Sequence, residues 1–190
     1  MLESHYNETL IEAGCDEVGR GCLAGSLFAA AVILPKDFYH PLLNDSKKMS
    51  ERQRLLLQDV IREQAIAWAI GEATAQEIDA INVLNASFLA MTRAVEALTV
   101  TPEFLLIDGN RFSSSLTIPH VCIVKGDSKF AAIAAASVLA KCHRDKYISL
   151  LGEEYPEYQW GKNKAYPTAF HRAAIEKYGV TPHHRLTFGK

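Results

Sequence analysis

Apolar and polar positions change period along the chain in an order that predicts β, β, α, β, α, β, β, α and a smaller helical end. Leu10-Ile11-Glu12-Ala13-Gly14-Cys15 reads as a strand running into Asp16 and Glu17. Leu23–Leu34, rich in small and β-branched residues, reads as a second strand paired antiparallel with the first across Gly19-Arg20-Gly21. Pro35 and Asn44-Asp45-Ser46 mark a loop. Ser50 with Gln53 three residues on forms a capping box for a helix that turns Leu56, Leu57, Val60 and Ile61 inward. Ala65–Thr74 is the third strand.

The second half repeats the alternation at longer period. Ile78, Ile81, Leu84, Phe88, Met91, Val95 and Leu98 recur at steps of three and four, the signature of one long amphipathic helix ending near Thr99. Phe104–Ile107 and Val121–Val124 are short continuous apolar runs, as expected of buried, parallel, central strands. Ser128 to about Leu151 is alanine-rich and predicts a helix lying close to the sheet, with Asp127 as its N-cap. Beyond Gly152 the composition turns aromatic and polar, and a last helix spans Thr168–Tyr178 and stops at Gly179. The expected organisation is an α/β core over 1–151, with 152–190 as a small helical lobe packed on it.

Bulk composition narrows the class. The chain has 190 residues, 48% hydrophobic and 22% charged, the profile of one globular unit. Cys22–Leu34 is too short to cross a bilayer and has no basic leader before it, so a cytoplasmic protein without membrane association is expected. Cys15, Cys22, Cys122 and Cys142 form no CxxC pair and read as reduced structural thiols. The net charge of −2 hides an asymmetry. Residues 1–120 carry nine basic and sixteen acidic side chains, residues 121–190 eleven and six. A basic C-terminal third beside an acidic remainder suits a polyanion gripped on one side and cut on the other.

The candidate chemistry lies in four carboxylates. Asp16, Glu17, Asp108 and Asp127 each stand where an apolar run gives way to a glycine-containing turn, and α/β proteins gather ligands at sheet ends. Singly, Asp108 is an ordinary turn residue and Asp127 an ordinary cap; together they can converge. Hard oxygen donors without His or Cys select Mg2+ or Mn2+ over zinc. Two such ions about 3.5–4 Å apart are suited to phosphodiester hydrolysis by water. The pair Asp16-Glu17 makes one geometric demand: neighbouring strand residues face opposite ways, so for both to share an ion the strand must bend or end there, with Gly14 and Gly19 providing the freedom.

In order along the chain, Gly14-Cys15-Asp16-Glu17-Val18-Gly19-Arg20-Gly21, Asn44-Asp45-Ser46-Lys47-Lys48, Ile107-Asp108-Gly109-Asn110, Lys125-Gly126-Asp127-Ser128, Ala135–Lys141, Tyr166-Pro167-Thr168 and His183-His184-Arg185 resemble bacterial type 2 ribonuclease H from about Leu10 to Phe188. The resemblance implies an RNase H-like mixed five-stranded sheet flanked by helices. It implies hydrolysis of the RNA strand of RNA/DNA hybrids and incision 5′ of single ribonucleotides in duplex DNA, leaving a 3′-hydroxyl and a 5′-phosphate, for ribonucleotide removal. Asp16, Glu17, Asp108 and Asp127 would be the catalytic metal ligands. Gly19, Arg20 and Gly21 would sense the ribose 2′-hydroxyl through their backbone, and Tyr166 would stack on the adjoining deoxyribose. Lys47, Ser128, Lys129, Lys141 and Arg144 would contact phosphates, while His171, His183 and His184 receive no catalytic role.

Three departures from the family pattern stand out: Cys22 and Ser26 where prolines are frequent, and Ala165 where glycine commonly precedes the tyrosine. Ala165 bears on how Tyr166 is presented. A monomer is expected, without the longer tail with which some relatives bind a sliding clamp. Two other readings compete: a different carboxylate-metal phosphotransferase, which would leave the Gly-Arg-Gly turn unexplained, and a hybrid-binding protein without catalysis, which would be expected to lack a carboxylate.

Overall fold

The computed structural model describes residues 2–44, 46 and 49–188. Five strands, β1 (Glu12–Val18), β2 (Leu27–Ile33), β3 (Ala67–Ala73), β4 (Phe104–Asp108) and β5 (His120–Ile123), form one sheet in the order β3-β2-β1-β4-β5. β1, β2 and β3 pair antiparallel, while β4 lies parallel to both β1 and β5. β1 is therefore the centre of a mixed sheet. The helices are α1 (Glu51–Gln64), α2 (Ala75–Glu96), α3 (Ala131–Glu154), α4 (Trp160–Asn163) and α5 (Ala169–Tyr178).

Both faces of the sheet are covered. Ala30 and Val32 of β2 pack under α1 and α3 in one core, while Ala13, Cys15, Ala29, Ala31, Leu105 and Ile107 meet α2 in the other. Glycine sets the spacing on each side. A Cβ on Gly14 would overlap the backbone of Ala132 and Ile133 in α3, and one on Gly71 would overlap the Ala90 carbonyl of α2. The alanines of α3 complete this close approach, and Ala131–Ala140 is buried around its whole circumference. Gly14 thus serves helix packing and not the backbone bend expected of it.

The capping box of Ser50 and Gln53 forms as expected and starts α1, but only Leu57 and Ile61 are buried; Leu56 is exposed, because the helix touches its neighbours along a narrower stripe than four apolar positions suggest. Thr74 and Glu77 make a second capping box, for α2. That helix is not continuous. Asn82 sits at φ 66, ψ 163, and its Oδ1 accepts from the Leu84 and Asn85 amides at 3.0 and 3.1 Å, recapping the chain. The break shifts the buried stripe: Ile78 is fully buried before it, Ile81 lies out in solvent, and Phe88, Met91 and Val95 are buried after it.

Three further expectations change. β5 is an edge strand, exposed at His120 and half-exposed over the rest, since among the described residues no strand pairs with its outer side. Asp127 does not cap α3; it sits in a 3-10 turn over Gly126–Ser128, and the helix starts at Ala131 after Phe130. α3 also runs past residue 151 to Glu154, so the 151/152 division falls inside a helix. The C-terminal segment beyond α3 packs through Tyr158, Trp160, Ala165 and Ala174 against Cys22, Ala24 and Ile148. No helix among the described residues is long and apolar enough to cross a membrane.

Candidate active site

β1 continues through the acidic pair. Asp16 pairs with Ala30 and Glu17 with Ala29 in regular antiparallel register, and β1 ends at Val18, one residue past the pair; of the two alternatives, bend or end, the strand takes the second, and alternation starts the two side chains on opposite faces. Asp16, with Gly14 and Val18, faces α3 and is buried. In the parallel ladder Cys15 is level with Ile107, which puts Asp108 beside Asp16 on that same face. The Gly126 amide donates to Asp108 Oδ1 at 2.7 Å. This bond ties the 3-10 turn to the end of β4 and carries buried Asp127 to the same corner.

Glu17 stands at the rim. Its Oε1 accepts from Arg20 Nη1 at 3.3 Å. Burial raises its pKa, Arg20 counters the rise and nearby Asp108 adds to it. The sheet thus gathers the four acids at one end, with Glu17 at its rim near enough to Asp108 for their charges to interact. Among the described residues no three His, Cys, Asp or Glu side chains stand close enough, as they are, to hold an ion together. The donor set is nonetheless all carboxylate oxygen, which suits a hard divalent cation.

The Gly-Arg-Gly turn adjoins this corner. Gly19 has φ +98, and a Cβ there would overlap Arg144 Nε and lie 2.8 Å from its Cδ, so conformation and space both require glycine. Gly21 is open: the nearest atom to a Cβ would be Tyr166 Cε1 at 4.0 Å. The half-exposed Tyr166 ring therefore stands beside the glycine backbone. Ala165 before it is buried at φ +63 and donates its amide to Asn163 Oδ1 at 2.8 Å. This left-handed backbone accounts for a glycine preference at that position, and here alanine adopts it.

The remaining expected contacts separate. Lys129 is exposed and Ser128 half-exposed, with its hydroxyl donating to the Lys125 carbonyl at 2.8 Å. Lys141 pairs with Asp145 at 2.8 Å and is largely covered. Arg144 is fully buried and gives its Nη atoms to the carbonyls of Lys164 and Ala24, leaving no surface for a phosphate. Lys47 lies outside the described residues. All four cysteines are free, and burial pushes Cys15 up to about 12 and Cys142 to about 11, so neither is a thiolate at neutral pH.

Two histidines pack within the C-terminal segment. Trp160 Nε1 donates to His171 Nε2 at 3.0 Å, which fixes the proton on His171 Nδ1, from where it reaches the Tyr166 carbonyl at 3.1 Å. His184 Nδ1 accepts from the Thr181 amide at 2.8 Å, and its Nε2 lies 3.3 Å from His171 Nε2. Both rings are thus held neutral. Burial lowers His171, and burial with neighbouring His171 and His183 pushes His184 down to about 4. Over the interval between about 4 and the ordinary value near 6.5, the folded chain binds fewer protons than the unfolded one. Stability is therefore full above that window and is lost as pH falls through it. Going from pH 7 to 5 is expected to cost about 1–2 kcal/mol, or roughly 2–8 °C in Tm. His184→Asn should flatten the dependence, and a wild-type melting curve indifferent to pH over this range would contradict it.

A mixed five-stranded sheet with acids at the ends of adjacent parallel strands, closed by a tightly packed helix, defines a ribonuclease H-type nuclease. The sequence pattern of the family described as ribonuclease HII matches residues 13–190. Ribonuclease HII of Bacteroides thetaiotaomicron is 61% identical over 188 residues, 99% of this chain and 94% of that protein. Among solved structures, ribonuclease H2 from Pyrococcus horikoshii superposes with a TM-score of 0.74 at 23% identity, covering 92% of each chain. Bst-RNase HIII in complex with Mn2+ gives 0.76 at 18% identity, covering 95% of this chain and 68% of that one. The chain belongs to the ribonuclease HII family, the type 2 ribonuclease H endonucleases.

Proposed function

We propose that the protein hydrolyses the RNA strand of RNA/DNA hybrids and nicks duplex DNA 5′ of a single embedded ribonucleotide, leaving a 3′-hydroxyl and a 5′-phosphate. The observation that carries this reading is the meeting of Gly21 and Tyr166 beside the acidic corner of β1 and β4. A bare backbone offers both N–H and C=O to a ribose 2′-hydroxyl, which is donor and acceptor at once. The exposed ring supplies a flat apolar surface for the next sugar. Asp16, Glu17, Asp108 and Asp127 would hold two Mg2+ or Mn2+ ions. When bound, these supply a deprotonated water and charge neutralisation at the leaving oxygen. The chain's own groups orient the strand: Gly19–Gly21 at the ribose, Tyr166 at its neighbour, and exposed Lys129 with Ser128 toward phosphate. Membership of the family also favours a cytoplasmic role in clearing ribonucleotides from DNA.

The test uses end-labelled duplexes, purified protein and Mg2+ or Mn2+. One embedded ribonucleotide should direct a single nick on its 5′ side. Equal cutting of an all-DNA duplex would remove the 2′-hydroxyl from the account. Tyr166→Ala should slow incision at a lone ribonucleotide about tenfold more than cleavage of a continuous hybrid, by analogy with the loss of one stacking contact. Equal slowing of both would end the stacking role.

A further inference from the structure

Two arginines lie beneath the segment from Gly19 to Gly25, and among the described residues neither forms an ion pair. Arg144 reaches up from α3. Its Nη1 donates to the Lys164 carbonyl at 3.1 Å and its Nη2 to the Ala24 carbonyl at 3.3 Å, and no acceptor meets its buried Nε, which lies against Gly19. Arg185 comes from the opposite end of the chain. It donates Nε and Nη2 to the Gly25 carbonyl at 3.0 and 2.9 Å, and Nη1 to the Arg20 carbonyl at 3.1 Å. Asp79, the nearby acid, is engaged by the amides of Leu186 and Thr187 and acts on Arg185 through its charge without forming an ion pair.

Burying a guanidinium without a carboxylate is costly, and these two also repel. Burial, with Arg144 adding to it and Cys22 and Asp79 opposing, brings Arg185 down to about 10, still a cation at neutral pH. A neutral amide would fill either place at less cost if packing were all that mattered. What only arginine offers is a rigid planar fork of donors long enough to hold two carbonyls at once.

We infer that Arg144 and Arg185 are a positioning pair for ribose recognition, fixing the carbonyls of Arg20, Ala24 and Gly25 so that the Gly19–Gly21 backbone is presented in one conformation. This rests on the reading of that turn as the ribose sensor. The pair explains why Gly19 has no room for a side chain, and why α3 and the segment around Arg185 both converge on a turn that belongs to neither. Arg185 holds the residue between the two glycines by its backbone, while that residue's guanidinium reaches the acidic site through Glu17. Neither buried arginine touches the substrate.

The experiment compares wild type with Arg185→Lys and Arg144→Lys, which keep the charge and lose the fork. Single-turnover incision at one embedded ribonucleotide is measured with saturating enzyme, and duplex affinity separately by anisotropy in Ca2+. We expect incision to fall about 100-fold, the penalty of a misplacement near 1 Å, with affinity changed less than threefold. A folded variant that cuts at the wild-type rate overturns the inference. Hydrogen exchange provides a second readout: without nucleic acid, amides of 19–25 should exchange faster in Arg185→Lys than in wild type, and equal exchange in a folded variant overturns the inference equally. Absence of incision by the wild type would instead defeat the functional reading, while the exchange result would still decide the clamp.

Discussion

Asp108→Asn is expected to lower the single-turnover rate at an embedded ribonucleotide on the order of 1,000-fold while leaving duplex binding within about threefold, the pattern of a lost transition-state interaction. The substitution is conservative for the fold. Asn keeps an Oδ1 that can accept the Gly126 amide now 2.7 Å away, so the tie between β4 and the turn carrying Asp127 survives. What is lost is charge. Asp108 follows Ile107, which is level with Cys15 in the parallel ladder, and its charge adds to the upward shift of Glu17. Quench-flow with electrophoretic readout and a thermal melt of the same sample would separate the outcomes. Undiminished cutting by a folded variant would remove Asp108 from the site.

Gly14→Ala should give the largest loss of stability. The new Cβ would overlap backbone atoms of Ala132 and Ile133, and neither partner can rotate away, since both belong to a helix buried around its full circumference. Overpacking of this kind typically costs about 1–3 kcal/mol and occasionally more; with backbone on both sides we expect at least the upper value, about 6–12 °C in Tm for a chain of this size. Gly109→Ala is the contrast in position: its Cβ would meet nothing within 4 Å, although its φ of +109 imposes a conformational cost. Calorimetry on the two variants decides whether crowding or backbone strain destabilises more, and a Gly14→Ala protein melting with wild type would refute the packing role.

Much of this architecture could be read from local pattern. The Ser50–Gln53 box, the apolar runs of β2 and β4, and the alanine-rich helix after the last acid each leave a signature within a few residues. Thr74 and Glu77 carried the same signature as Ser50 and Gln53. The steps of three and four in α2 concealed the break, because Asn82 caps with its own side chain and leaves the apolar count nearly intact. β5 looked central because its composition is apolar, yet which strand lies at an edge is decided by pairing across the sheet and not by the strand itself.

The site divides in the same way. The positions of the four acids at strand ends were legible, and so was the proximity of glycine turn and tyrosine through family resemblance. The facing of Glu17 was not, since it depends on β1 remaining regular to Val18. The fates of Arg144 and Arg185 were beyond local reading altogether. Arg144 meets the Ala24 carbonyl across 120 positions of chain and Arg185 the Gly25 carbonyl across 160, and an arginine buried at such a distance looks in sequence like any surface cation.

That separation also orders the making of the protein. Residues 16–25 leave the ribosome early, but the Ala24–His184 bridge and the bonds from Arg185 to Arg20 and Gly25 must wait for the far end of the chain. Closing so long a loop is among the later events of folding. The acids can be in place on a finished sheet while the turn beside them is still free. On the proposed roles, a nascent or truncated chain lacking Arg185 would carry its acids on a finished sheet with the Gly19–Gly25 backbone still unheld.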